Sequence, residues 1–362
     1  MAIEFSPERW DRIRRDYGKW WDGTLDRPLI QAAVGGRDPG RAEPDLPAHR
    51  FVPFYDPSVP PEAIVDRWDY DLSTVTFLGD GFPATWPNYG AGVIAALLGC
   101  RLDPQPAGRT VWYHPIELRE AKDLHFRYDR NNLWLKRIKT LVQAAVDRWE
   151  GSVQVAMTDL GGNLDILSSF RPSEQLLLDL YDCPDEIKRL TWEAHDLWLR
   201  YFDEFNAVLQ PTNPGYTAWT PIFSEQPYYM LQCDFCYMIS PAMFDEFVKP
   251  ELAATCEKLD HAFYHLDGPG QLPHLDSLLE IESLKGVQWI PGAGSPPITE
   301  WPDVFRKIHN AGKRIQIFGT IDDLDVIADQ VGTAEGTLLI TGGSGPADEQ
   351  HIMEGLQRYG AM

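Results

Sequence analysis

The sequence predicts an α/β fold: a (β/α)8 TIM barrel with an irregular N-terminal extension covering one end. Three observations carry this. From residue 152 onward, short apolar runs alternate with amphipathic stretches of helical spacing. Counted from residue 73, eight such runs lie near residues 75, 155, 220, 231, 264, 288, 316 and 339. One of them, residues 262–267, ends in a polar pair and runs into Gly268-Pro269-Gly270, the form of a strand entering a βα loop. A doubly wound open sheet is the alternative that the same alternation allows.

The elements follow in order. Ser6 ahead of Pro7 starts a helix that ends at Trp21-Asp22-Gly23. Residues 29–34 form a strand, and residues 35–61, rich in proline, glycine and charge, form an irregular excursion. Residues 1–70 are the extension and 71–362 the barrel domain. Residues 73–78 are a strand that places Asp80 just beyond its end. A short buried helix falls within 88–100, and Leu133, Ile138, Leu141, Ala145 and Trp149 space a helix over 128–149. Strand 153–157 leads into Asp159-Leu160-Gly161-Gly162-Asn163. Helices 173–182 and 184–206, strands 218–223 and 229–234, and a helix 240–261 come next. After strand 262–267, strand–helix units end with strand 337–341, the loop Gly342-Gly343-Ser344-Gly345 and a last helix 348–359.

Composition sets bounds. The chain has 362 residues, 44% hydrophobic and 24% charged, enough for a large core. A formal net charge of -22 argues against nucleic acid or an anionic membrane as partner. No apolar run is long enough to span a bilayer, and the first eight residues lack the basic and apolar regions of a signal peptide. Five cysteines without framework spacing fit a reducing compartment. The expected location is the cytoplasm and the expected ligand a small molecule.

The chemistry centres on His265 and Asp267. Two apart on a strand, they share a face at its C-terminal end. With either Glu225 or Asp234 from a neighbouring strand end, they could make a nitrogen–oxygen donor set for zinc, the alternative being no metal at all. A harder set than thiolates suits polarising an oxygen. The metal-free alternative groups Asp80, Asp234, His265 and Asp267 as crowded carboxylates for acid–base work. Against each stands a plainer reading: a hydrogen-bonded histidine, a helix-capping aspartate. Trp86, Trp219 and Trp289 lie near strand ends and could wall a pocket for an aromatic or sugar-like ligand. Asn163 sits in a glycine turn. Ser344 sits in a glycine-rich loop that could cradle an anion at a helix N-terminus, or merely make a tight turn. Cys233 and Cys236, a lone C-x-x-C with no second pair, read as structural.

Over residues 152–362 the chain resembles the uroporphyrinogen decarboxylase superfamily, which includes zinc-dependent methyltransferases that work with corrinoid proteins. The resemblance rests on Asp159-Leu160-Gly161-Gly162-Asn163-Leu164-Asp165 with the helix pair after it. It rests further on the 234–250 segment Asp234-Phe235-Cys236 through Val248-Lys249-Pro250, and on the His265 turn. It implies a methyltransferase moving a methyl group from a small methoxylated or methylated substrate to a corrinoid protein, and a possible homodimer. Two departures stand out. The family's methyltransferases carry His-x-Cys at the turn and a cysteine in a late glycine-rich loop; here the residues are His265-Leu266-Asp267 and Gly343-Ser344-Gly345. The decarboxylases bind carboxylates through an arginine-glycine motif that residues 1–70 lack, so no uroporphyrinogen decarboxylation is expected. A metal-free decarboxylase or lyase, or a binding protein without catalysis, remains the alternative.

Overall fold

A computed structural model describes residues 3–362. Met1 and Ala2, part of the stretch weighed above for a signal peptide, lie outside them. The strands are β1 (Leu29–Gly35), β2 (Val75–Gly79), β3 (Ala84–Thr85), β4 (Arg101–Gln105), β5 (Thr110–His114), β6 (Gln154–Val155), β7 (Tyr228–Gln232), β8 (His261–Asp267), β9 (Leu284–Ile290), β10 (Arg314–Phe318) and β11 (Thr337–Ser344). Seven of them form one sheet in the order β2-β1-β11-β10-β9-β8-β7. Every neighbouring pair is parallel except β2, which is antiparallel to β1. Helices follow β8 to β11 in turn, and the sheet is mostly parallel and helix-covered, its central strands mainly apolar with a polar residue set into each.

The eight-run expectation needs three corrections. The run near 75 is not a parallel strand. The N–H groups of Gly36 and Arg37 both donate to the Thr74 carbonyl, so β2 starts beside the end of β1 and runs back along it. The run near 220 is not a strand. Tyr216 and Ser224 exchange backbone hydrogen bonds and close the residues between them into a loop, with Pro221, which has no N–H, inside it. Conversely, 29–34, left outside the count, is β1 and sits inside the sheet. β3 was not foreseen. It pairs with β6, and Met157 N–H carries the contact on to the Thr217 carbonyl. Among the described residues no ladder joins β6 to β7, so the ladder does not close on itself.

The helices follow their capping signals. Pro7–Asp22 starts with the Ser6 hydroxyl accepting from Arg9 N–H and stops at Gly23 in the left-handed region. Leu133–Trp149 is capped by Asn132. The expected single helix 240–261 is two, Pro241–Phe247 and Lys249–Lys258, because Pro250 fits the first turn of a new helix and not the interior of an old one. Helix Pro61–Ser73 begins where the irregular excursion 35–61 ends and was not foreseen. Helix Pro7–Asp22 packs its aromatic face on the N-terminal ends of the strands: Trp21 stacks on His261 at 4.1 Å and Trp20 on Phe263 at 6.1 Å. Among the described residues no helix is long and apolar enough to cross a membrane.

Candidate functional site

At the other end of the sheet, β7 and β8 finish side by side, with Gln232 opposite His265. A cavity of about 660 Å³ opens there. Its walls include Gln232, Asp234 and His265 from the strand ends, Asp159 and Asp165 from the segment after β6, and the β4–β5 hairpin above.

His265 and Asp267 do share a face of β8, with 3.9 Å between Nε2 and Oδ2. Asp234, the first residue after Cys233 beyond β7, joins them. One ligand atom from each of Asp234, His265 and Asp267 lies within 4.8 Å of the others. The histidine is oriented from behind. Its Nδ1 hydrogen-bonds Gln288 Oε1, an acceptor, so Nδ1 carries a proton and Nε2 is the ring nitrogen left facing the two carboxylates. Gln288 Nε2 in turn donates to Gln316 Oε1 and, at 3.4 Å, to Thr220 Oγ1. Register explains the chain: Gln232, His265, Gln288 and Gln316 are lateral neighbours on four adjacent strands.

Asp165 builds the other wall. Its carboxylate accepts the backbone N–H groups of Asp234 at 2.8 Å and Phe235 at 2.7 Å, which fixes the turn that aims Asp234. Burial, then the Asp234 charge, push the Asp165 carboxyl up to about 8. Asp159 accepts Gly161 N–H at 2.8 Å and Gly92 N–H at 3.3 Å on Oδ1. Burial pushes it up to about 7 against those hydrogen bonds. Gly161 makes this turn possible: its φ is +69°, and a Cβ there would meet Gly92 Cα at 2.4 Å. Asp234 is accessible at the mouth, yet its carboxyl is also raised. Desolvation by the groove walls comes first, His265 opposes it, and the Asp267 charge adds to it.

Other expected site residues fall elsewhere. Asp80 is fully buried and takes a bidentate pair from Arg27 at 2.7 and 2.9 Å plus Ile30 N–H, a structural ion pair away from the cavity. Glu225 is exposed ahead of β7, at the end of the strands opposite Asp234, and cannot reach His265. Trp289 alternates with Gln288 along β9; since Gln288 faces His265, Trp289 faces the helix layer and packs on Trp301 at 5.1 Å. Asn163 holds a left-handed φ of +53° and gives its amide to buried Glu251, not to the cavity. Ser344 belongs to β11, whose ladder continues through Gly342, Gly343 and Ser344. Asp348 Oδ2 takes Ser344 N–H at 2.7 Å, where an anion would have sat. Trp86 and Trp219 do line the cavity, and Trp219 meets the His265 ring edge-to-face at 5.1 Å. Asp159, Asp165 and the glutamine row were missed. The signal was a glutamine inside each of several apolar strands: Leu-Gln-Cys, Val-Gln-Trp, Ile-Gln-Ile.

As a donor set, one imidazole nitrogen and two carboxylates fit a divalent cation of the zinc class. The row of glutamines supplies the outer support such a histidine needs.

No family model and no curated protein matches the chain. Among solved structures, a methyltransferase from Methanosarcina mazei superposes with a TM-score of 0.53 at 13% identity, over 76% of this chain and 80% of that one. An enolase protein from Sargasso Sea environmental sequencing covers 60% of this chain and 52% of its own at 9% identity, with a TM-score of 0.26, too low to carry an argument. The first likeness is one of fold.

Proposed function

We propose that the protein is a methyltransferase that moves a methyl group from a small methoxylated or methylated substrate to a corrinoid protein. The observation that carries this is the Asp234–His265–Asp267 group at the cavity mouth, with His265 Nε2 left as its ligand atom. The Methanosarcina mazei neighbour's fold agrees with it. The closed barrel expected above belongs to the same proposal, the arc of parallel strands being most of one.

Asp234, His265 and Asp267 would hold zinc. Bound there, the cation would supply Lewis acidity toward the substrate's ether oxygen. The chain's own residues do the rest. Trp86 and Trp219 wall the substrate and exclude water. Asp159, held near neutrality by burial, keeps Oδ2 free of backbone partners. It can therefore give a proton to the leaving oxygen as the carbon–oxygen bond breaks and the methyl carbon bonds to the partner's cobalt(I). The test is direct. Zinc is measured in purified protein, and methylation of free cob(I)alamin by methoxylated compounds is followed by its absorbance. Stoichiometric zinc and methylcobalamin formation, both lost in His265→Ala, are expected. Equal rates in His265→Ala would sink the proposal.

A second reading is favoured by the carboxyls of Asp159 and Asp165, raised to about 7 and about 8. Such groups could run metal-free proton transfer in a decarboxylase or lyase. Activity that survives complete chelation would select it.

A further inference from the structure

A second cavity, of about 300 Å³, opens beside the first between β1, β3 and the 218–221 loop. The two share Trp86 and Trp219 as a common wall. Its chemistry differs. Among the described residues that line it none is charged, and its polar side chains are Gln31, Thr85 and Thr341. Small residues, Ala33, Ala84, Ala156 and Ala218, leave the space that Phe77 and Phe82 bound. Across the wall, Trp219 contacts the His265 ring at 5.1 Å. A ligand here is therefore one indole away from the proposed metal-binding histidine.

We infer that this chamber receives an uncharged aromatic ring, whose methoxy or similar substituent passes the Trp86–Trp219 wall toward His265. This names the substrate class of the proposed site and so rests on that proposal. An apolar cavity of about 150 Å³ already accepts benzene, so this volume holds one substituted ring. The absence of a cation excludes a ring carboxylate from the chamber, because nothing there would repay its desolvation. The absence of a carboxylate excludes an ammonium for the same reason. Aromatic walls favour a ring over an aliphatic chain of equal volume through edge-to-face contacts.

The test is calorimetric binding of anisole, with benzoate as the charged comparison, to the full chain. Two variants fill the chamber. Ala84→Leu does so from β3. Ala33→Leu does so from an exposed position on β1, where added bulk does not disturb the core, and so remains informative if the first variant misfolds. Wild type is expected to bind anisole at least tenfold more tightly than benzoate. Each folded variant is expected to lose at least tenfold in anisole affinity while keeping its zinc affinity. Absence of anisole binding to wild type, or equal binding by wild type and Ala33→Leu, overturns the inference. The two proposals fail separately. Anisole binding that the variants block, with no methyl transfer to cob(I)alamin, sinks the enzyme reading and leaves the chamber. Methyl transfer with no effect of either variant on anisole does the reverse.

Discussion

Gln288 is the residue on which the geometry of the site turns. Its Oε1 fixes the His265 tautomer, and its Nε2 is spent on Gln316 and Thr220, so the amide cannot swing away. Gln288→Leu should leave the fold intact, since leucine nearly fills the same volume, at a cost of about 1–3 kcal/mol for the partner that Gln316 loses. It should weaken zinc binding about 10- to 100-fold, the usual effect of removing such a partner. Gln288→Glu, which keeps an acceptor, should retain most of the affinity; zinc titration of both decides, and equal affinity in all three would refute the role. A different histidine contributes to acid stability. His261 lies between Trp21, stacked at 4.1 Å, and the Ser224 hydroxyl at 2.7 Å. Burial pulls its pKa down to about 4, with the Asp260 charge opposing. The folded state thus prefers the neutral ring. Its contribution is complete above the unfolded value near 6.5 and is lost as pH falls toward 4. Allowing for solvent screening of a half-buried ring, the loss is on the order of 1 kcal/mol. His261→Gln should flatten the melting temperature between pH 7 and pH 4 relative to wild type. At this scale the sequence made His265 and Asp267 visible because a period of two is written in spacing alone. It hid Gln288, Asp159 and Asp165 because their placement depends on which strands lie side by side.

Among the elements, β11 and its following helix show how one local pattern can be read two ways. Gly342-Gly343-Ser344 looks like a ligand loop, but the ladder to β1 runs through it. The glycines are there for approach distance: a Cβ on Gly343 would stand 2.4 Å from Asp348 Cβ. Gly343→Ala should therefore push the Pro346–Arg358 helix off the sheet, at about 1–3 kcal/mol, the range for overpacking. Gly18 is the contrast. It lies inside helix Pro7–Asp22 with nothing within 4 Å of its would-be Cβ. Gly18→Ala should stabilise by roughly 0.5–1 kcal/mol by restricting the unfolded chain. Denaturant melts of the two variants should move in opposite directions, and a stabilising Gly343→Ala would refute the packing argument. Elements whose signals are local were legible in advance: the Ser6-Pro7 start, the apolar runs of β8 to β11. Elements set by the tertiary path were not. The two-residue β3 has too few positions for any period, and 218–223 has strand composition but is closed off by the Tyr216–Ser224 bridge.

The whole molecule is tied together from one end by helix Pro7–Asp22. Arg12 donates to the carbonyls of Gly79 at 2.6 Å and Ala361 at 3.1 Å. Trp10 Nε1 reaches the Ser152 carbonyl, Trp21 Nε1 the Phe223 carbonyl, and Arg314 returns a bond to the Trp21 carbonyl. Gly79 ends the antiparallel β2, Ser152 and Phe223 precede β6 and β7, Arg314 begins β10 and Ala361 follows the last helix, so one helix spans the N-terminal rim while the candidate site occupies the opposite one. Trp10, Tyr17 and Trp20 are buried against Phe82, Phe223 and Phe263. Removing one such aromatic costs about 3–5 kcal/mol, and the net stability of a domain is about 5–15 kcal/mol. Loss of all three together exceeds or matches that margin. A chain lacking residues 1–23 should therefore lack near-ultraviolet circular dichroism and a cooperative melt, and should lose zinc binding at a cavity that none of residues 3–23 lines. Trp20→Phe, which keeps a ring against Phe263, should restrict the damage to a few degrees of melting temperature. If the truncated chain instead melts cooperatively at the temperature of the full one, the first helix is an appendage, and the strands hold their arc without it.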